Sequence, residues 1–269
     1  MFSPPNAEVG RLLSRLTKDV GQHLGDNLIG LYLHGSLVTG DFDPGRSDLD
    51  LLALLQTDLH EREVEGLREM HARLAGDFPA WQDRVEVEYV SEAALRDFRT
   101  RPHLMARISP GEALHLTEAN RHYLLNWSTA RRGVALLGPP PDQVLPEVTR
   151  TEFVEAVRQH AGSWGEWVTE MRHPGGQAYT VLTLCRALYS TRHGEQVSKR
   201  RAAGEVRPLL PGWAPLIDWA AGWWYGGGQQ TPDEDHFDEV VGFVGEVRSR
   251  ILGGHDLRGQ PSGPSGGAC

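Results

Sequence analysis

Apolar residues recur at Val9, Leu12, Leu13, Leu16, Val20 and Leu24 behind a candidate N-cap, Asn6, a spacing that predicts one face of a helix. A compact apolar run over residues 28–33 follows and ends at His34-Gly35-Ser36. Polar, turn-rich residues 39–47 lead into Asp48-Leu49-Asp50-Leu51-Leu52-Ala53-Leu54-Leu55, which reads as a second strand. Within residues 60–76, Val64, Leu67, His71 and Leu74 fall at helical spacing, and residues 85–90, Val-Glu-Val-Glu-Tyr-Val, alternate strictly as a third strand. Strand, strand, crossover helix, strand describes a small mixed sheet with helices against it.

The pattern breaks at Gly138-Pro139-Pro140-Pro141-Asp142, because three prolines in a row cannot continue a helix. Beyond residue 149 only helices are predicted. One runs through Phe153, Val157 and Trp164, and another covers residues 179–192 and stops at Gly194. A capping box, Thr231-Pro232-Asp233-Glu234, predicts the start of the last helix. Its apolar stripe is Phe237, Val240, Val241, Val244, Val247 and Ile251. The expected organisation is therefore a mixed-sheet domain over residues 1–148, an all-α bundle over 149–252 and a Gly-, Ser- and Pro-rich disordered tail over 253–269. The tail contains Gly263-Pro264-Ser265-Gly266-Gly267, which matches a hydrolase elbow by letters but lacks the strand and helix the elbow requires.

Composition narrows the chemistry. The chain has 269 residues, 39% hydrophobic and 23% charged, a globular balance. Its formal charge of −9 argues against nonspecific binding to nucleic acid, which needs a basic face. Two cysteines, Cys185 and Cys269, make neither a disulfide framework nor a cysteine-rich zinc site. Cys185 sits in an apolar helical segment and reads as a small buried hydrophobe. No histidines lie three or four residues apart, which excludes a helical two-histidine metal site. Neither Lys18 nor Lys199 follows a glycine, which excludes a P-loop. No segment reads as a membrane span or a signal peptide, so the expected compartment is the cytoplasm. Six of the eight tryptophans lie beyond residue 149 and are expected mostly to fill the bundle core.

The informative segment is Leu31-Tyr32-Leu33-His34-Gly35-Ser36 followed by Ser47-Asp48-Leu49-Asp50. Strand periodicity places Asp48 and Asp50 on one face, where two carboxylates repel unless a cation or proton sits with them. Their oxygens suit Mg²⁺, which takes a few carboxylates, water and substrate phosphates. Gly35 lets a phosphate approach the backbone, and Ser36 adds a hydroxyl donor. Together they make a site for a metal-bound nucleoside triphosphate. On the third strand, Glu86 and Glu88 share a face, and spacing does not choose between them as a base or a further metal ligand. Taken alone, Glu88 reads as a solvated strand residue.

A Gly-Ser turn followed at this distance by Asp-hydrophobic-Asp resembles the nucleotidyltransferase superfamily signature. Residues 31–55, 85–90, 133–139 and 181–190 look further like aminoglycoside 3″-adenylyltransferases, and the similarity covers most of residues 7–252 in order. The resemblance implies an α+β fold in which a polymerase-β-like nucleotidyltransferase domain precedes a helical bundle, with the active site in the cleft between them. It also implies Mg-dependent transfer of AMP from ATP to a hydroxyl of a cationic small molecule, an aminoglycoside or aminocyclitol. Carried over by position, Asp48 and Asp50 hold Mg²⁺, and Gly35, Ser36 and Ser47 contact the triphosphate. The catalytic glutamate falls on Glu86, and Arg186 and Lys199 reach the phosphates. Two positions depart on the acceptor side. Gly111-Glu112 is followed by Ala113 where such enzymes commonly have tryptophan, and Gly176 stands where they have an acidic residue. Another hydroxylated metabolite, a protein side chain, or a sensor that binds nucleotide without transfer are the alternatives.

Overall fold

The structure is a computed structural model that describes residues 3–228 and 235–253. The chain divides into two compact units, Met1–Gln159 with Gly194–Ser198, and His160–His193 with the residues from Lys199 onward. In chain order the first unit contains α1 (Ala7–Leu24), β1 (Leu28–His34), α2 (Ser36–Thr39), β2 (Leu49–Leu55), α3 (Glu61–Asp77), β3 (Val85–Ser91), α4 (Glu92–Asp97), β4 (Leu104–Ser109), β5 (Glu112–Glu118), α5 (Leu124–Ala130), β6 (Val134–Leu137) and α6 (Pro141–Val144). Next comes α7 (Arg150–Trp167), whose residues up to Gln159 belong to this unit.

The six strands form one sheet in the order β5-β4-β3-β2-β1-β6. Only β2 and β3 pair in parallel; the remaining neighbours are antiparallel. A parallel pair needs a crossover, and α3 supplies it. One sheet face carries Leu31, Leu33, Leu49, Leu51, Ala53, Val85, Val87 and Tyr89, packed on Leu12, Leu16 and Val20 of α1 and Val64, Leu67 and Leu74 of α3. The other face carries Tyr32, Leu52, Leu54 and Val90 beneath Leu124 and Trp127 of α5. The side chain of Asn6 caps α1 by accepting from the N–H of Val9 at 2.9 Å, as its residue type predicts.

Three strands, β4, β5 and β6, lie outside the three read from the pattern. They are the outer strands, with Leu104, Leu116 and Leu137 turned to solvent, so alternation is weak. Pro141 closes the three-proline segment by starting α6, where a missing N–H costs nothing.

In the second unit, α8 (Pro174–His193) is buried along most of its length. It packs against α9 (Lys199–Val206), α10 (Ala214–Tyr225) and α11 (Phe237–Gly253). The expected capping box at Thr231–Glu234 lies outside the described residues. The helix with the apolar stripe begins at Phe237, where the Asp235 carboxylate accepts its N–H at 3.0 Å. The buried stripe also differs: Val241 is 40% exposed and Phe237 half-buried, while Phe243 is fully buried. The spacing 240, 243, 244, 247, 251 keeps a narrower face than the sequence reading did. Cys185 is buried, which pushes its thiol up to about 12. Of the six tryptophans, only Trp164 is fully buried; Trp167 is 37% exposed and the other four are half-buried, so core filling does not account for most of them. The tail and its hydrolase-like letters, residues 254–269, lie outside the described residues. Among the described residues no helix is long and apolar enough to cross a membrane.

Phe243→Ala is expected to destabilise the helical unit by about 3–5 kcal/mol. Val241→Ala should stay within about 0.5 kcal/mol of the parent. Chemical unfolding of the two variants side by side checks the corrected stripe.

Candidate active site

β2 and β3 are buried at every residue but the second, and those two residues, Asp50 and Glu86, are register partners. The parallel pairing therefore sets two carboxylates next to each other on the sheet face that also carries Leu52 and Leu54. Asp48 immediately precedes β2 and is half-buried. On the other side of β2, Asp50 is registered with the buried His34, whose ring burial holds down to about 4 and so keeps neutral.

Gly35 turns the chain out of β1 with φ 68° and ψ −151°, a conformation open to glycine. A Cβ there would overlap the Asp50 carboxylate. The glycine thus has two reasons to be present: the positive φ, and the close approach of a carboxylate to the backbone. Ser36 opens α2 and is half-buried, with its carbonyl accepting from the Asp41 N–H at 3.1 Å. Ser47 closes the preceding loop. Its hydroxyl accepts from the Asp43 N–H at 2.9 Å, which leaves its own O–H to donate. Arg84, stacked on Trp81, holds this loop by donating to the carbonyls of Pro44 at 2.9 Å and Ser47 at 2.6 Å.

Glu88 is not solvated. It is 1% exposed, and one carboxylate oxygen accepts from Asn126 Nδ2 at 2.7 Å while the other accepts from the Trp127 indole N–H at 2.9 Å. Burial raises its carboxyl to about 8, the neighbouring Glu86 charge adds to this, and the Asn126 and Trp127 hydrogen bonds oppose it. Glu86 is also raised, chiefly by burial, and the guanidinium of Arg107 opposes the shift. Arg107 Nη2 approaches Glu86 at 3.4 Å, and Asn126 Nδ2 donates to the same carboxylate at 3.2 Å. Arg84, Arg107, Asn126 and Trp127 carried no signal in the sequence, since lone residues outside a motif look like any other helix or strand residue.

Arg186 and Lys199 belong to the second unit. Arg186 is half-buried on α8 and, among the described residues, makes no protein hydrogen bond or ion pair. Lys199 opens α9 with its ammonium 3.9 Å from the Tyr179 ring centre and 4.8 Å from that of Trp224. Tyr179 also meets Trp164 at 5.9 Å, so a cation sits on an aromatic cluster. At Gly176, an added Cβ would meet Met171 Sδ at 3.0 Å and the His173 ring at 3.1 Å. Ala113 is exposed on β5.

The donor set can be tested against Mg²⁺. Among the described residues no three His, Cys, Asp or Glu side chains close on one metal position. Asp48 and Asp50 offer hard oxygens on one face, and Asp50 is seated against the Gly35 turn. That fits an ion that takes one or two carboxylates and completes its shell with water and phosphate oxygens.

Comparison with known proteins bears on both halves of the chain. Residues 13–104 match the family model of the nucleotidyltransferase domain, and residues 143–250 that of the aminoglycoside adenylyltransferase C-terminal domain. An aminoglycoside (3'') (9) adenylyltransferase from Rhizobium radiobacter is 27% identical over 270 aligned positions, covering 89% of this chain and 93% of the relative. A spectinomycin 9-adenylyltransferase from Staphylococcus aureus is 24% identical, covering 77% and 79%. The crystal structure of the spectinomycin adenyltransferase AAD(9) from Enterococcus faecialis, with ATP and spectinomycin, superposes with a TM-score of 0.74. It does so at 18% identity, over 89% of this chain and 99% of that one.

A carboxyl raised in the folded state keeps its proton where the unfolded chain has lost it. Stability contributed by Glu88 is therefore complete below its unfolded value of 4.5 and lost as pH rises through about 8. Thermal melts of the parent should lose stability across this window by up to about 1.4 kcal/mol per pH unit. Glu88→Gln should flatten that slope.

Proposed function

We propose that this chain, a nucleotidyltransferase with the C-terminal domain of the aminoglycoside adenylyltransferases, transfers AMP from ATP to a hydroxyl of an aminoglycoside or aminocyclitol and releases pyrophosphate. The observation that carries the reading is the registered pair Asp50 and Glu86, with the Gly35 turn seated against Asp50. One carboxylate is placed to serve a cation, its neighbour to serve a proton.

Asp48 and Asp50 would hold Mg²⁺, which when bound neutralises phosphate charge and organises the triphosphate. Gly35 admits the phosphates to the backbone, and the hydroxyls of Ser36 and Ser47 donate to them. Glu86 accepts the proton of the acceptor hydroxyl as that oxygen bonds to the α-phosphorus and the bond to the pyrophosphate oxygen breaks. Its raised affinity for protons brings it toward the range useful to a general base. Arg186 and Lys199 hold the phosphates. The lack of a protein partner for Arg186 among the described residues supports that role. The aromatic faces of Tyr179 and Trp224 help to hold the Lys199 ammonium in place. Positioning and electrostatics supply nearly all the catalysis in such chemistry.

The acceptor reading draws on the relatives, whose names specify aminoglycoside and spectinomycin adenylylation. Gly176 favours a second reading, an acceptor with less positive charge. Met171 and His173 crowd the position at which streptomycin- and spectinomycin-modifying enzymes carry an acidic side chain.

Pyrophosphate release from Mg-ATP, measured with streptomycin, spectinomycin and structurally distant aminoglycosides, tests both readings. Release with one or two of these drugs supports the first. Tight ATP binding without release from any of them points to another acceptor or to a sensor. Glu86→Gln should lower kcat by about 10²–10⁴-fold. Asp48→Asn should abolish turnover in a folded protein; retained turnover would overturn the metal assignment.

A further inference from the structure

We propose that Asn126 is a positioning residue that fixes which oxygen of Glu86 receives the proton, with Glu88 and Trp127 as its anchor. The inference rests on the reading of Glu86 as the base. An asparagine amide nitrogen carries two hydrogens, and here both are committed: one to Glu86 Oε1 at 3.2 Å, the other to Glu88 Oε1 at 2.7 Å. The orientation of the amide follows from its surroundings, because the flipped form would turn its carbonyl oxygen toward the Glu86 carboxylate.

Glu88 is a rigid anchor. Its other oxygen accepts from Trp127, the next residue of α5, at 2.9 Å. The Trp127 ring is buried edge-on to Phe98 at 5.2 Å and nearly parallel to Tyr123 at 6.3 Å. One turn of α5 therefore grips the buried glutamate twice and leaves a single N–H for its half-buried neighbour, Glu86.

Arg107 is the second donor to Glu86, and it also reaches Oε1, at 3.4 Å. Both donors thus converge on one oxygen. Among the described residues, no protein donor reaches Oε2. An oxygen that accepts two hydrogen bonds is a poor place to put a proton, so the acceptor hydroxyl delivers its proton to Oε2. Arg107 alone would not secure this arrangement, since it also faces Glu112 at 3.7 Å on the outer hairpin. Without Asn126, Arg107 is the one remaining donor to Glu86 among the described residues and draws it toward β4.

The test compares Asn126→Ala and Asn126→Asp, the latter keeping the shape while losing the donor. Crystal structures of both report the Glu86 rotamer independently of any acceptor. Kinetics use Mg-ATP with whichever of streptomycin or spectinomycin the parent turns over. Both variants are expected to displace the Glu86 carboxylate and lower kcat by about 10–100-fold. KM for ATP should stay within about twofold, since uniform binding is untouched. A purely structural role predicts instead a loss of thermal stability that Asn126→Asp largely restores along with kcat. Wild-type kcat in Asn126→Asp, or an unmoved Glu86 in the variant structures, would overturn the proposal. If Asn126→Ala does not fold, Asn126→Asp and Asn126→Ser supply the same readouts. Should Glu86→Gln be inert while Asn126→Asp is fully active, the function stands and the positioning role falls. Should the parent turn over no acceptor, the function falls and the variant structures still decide the position of Glu86.

Discussion

Asp50 and Glu86 face each other across a parallel strand pair, at the one step where neither strand is fully buried. Two carboxylates so placed repel, and the low-dielectric surroundings strengthen the repulsion. Their arrangement holds only if donors or cations are supplied on every side. Much of the first unit can be understood as that supply. β4 brings Arg107 and α5 brings Asn126, while the tight turn at Gly35 lets the backbone lie against Asp50. The register comes from the apolar neighbours, since a one-residue slip of β2 would drive Leu49 and Leu51 off the core face and turn Asp50 into it.

Burial is graded along β3. Glu86 keeps some contact with solvent, whereas Glu88, two residues further, has almost none and is raised to about 8. A carboxyl in that position costs stability above its ordinary pKa, and its cost is offset by donors from two consecutive residues of α5. The more buried acid stabilises the arrangement that the less buried acid uses. This division of labour follows from the strand period of two, which puts both acids on one face at different depths.

In the helical unit, cations lie against aromatic faces. Lys199 rests on Tyr179 and Trp224, and Arg200 lies over Tyr225 at 3.8 Å. Aromatic faces attract a cation through their quadrupole. The half-buried tryptophans of this unit pair a ring contact with polar or charged neighbours: Trp224 lies under Lys199, and Trp219 meets His236 at 4.3 Å. Trp213, for example, packs edge-on against Phe243 at 5.7 Å and donates its N–H to Glu246 at 2.6 Å.

Local rules were enough to read the central strands, the crossover helix, the capped first helix and the Gly35, Asp48 and Asp50 spacing beside a glutamate pair on the third strand. Each depends on a periodicity or a spacing within one segment. The choice of Glu86 over Glu88 came from the family resemblance. The outer strands β4, β5 and β6 were not legible, because a half-exposed edge strand has no strict alternation to read. Nor did the stripe of α11 distinguish Val241 from Phe243, since both are apolar and only the packing partner decides which faces inward. The sequence by itself determined which acids share a face. Tertiary structure alone decided which of Glu86 and Glu88 stays within reach of solvent, and which donors meet it from β4 and α5. Those contacts join residues about 20 and 40 positions apart, and no local pattern encodes them.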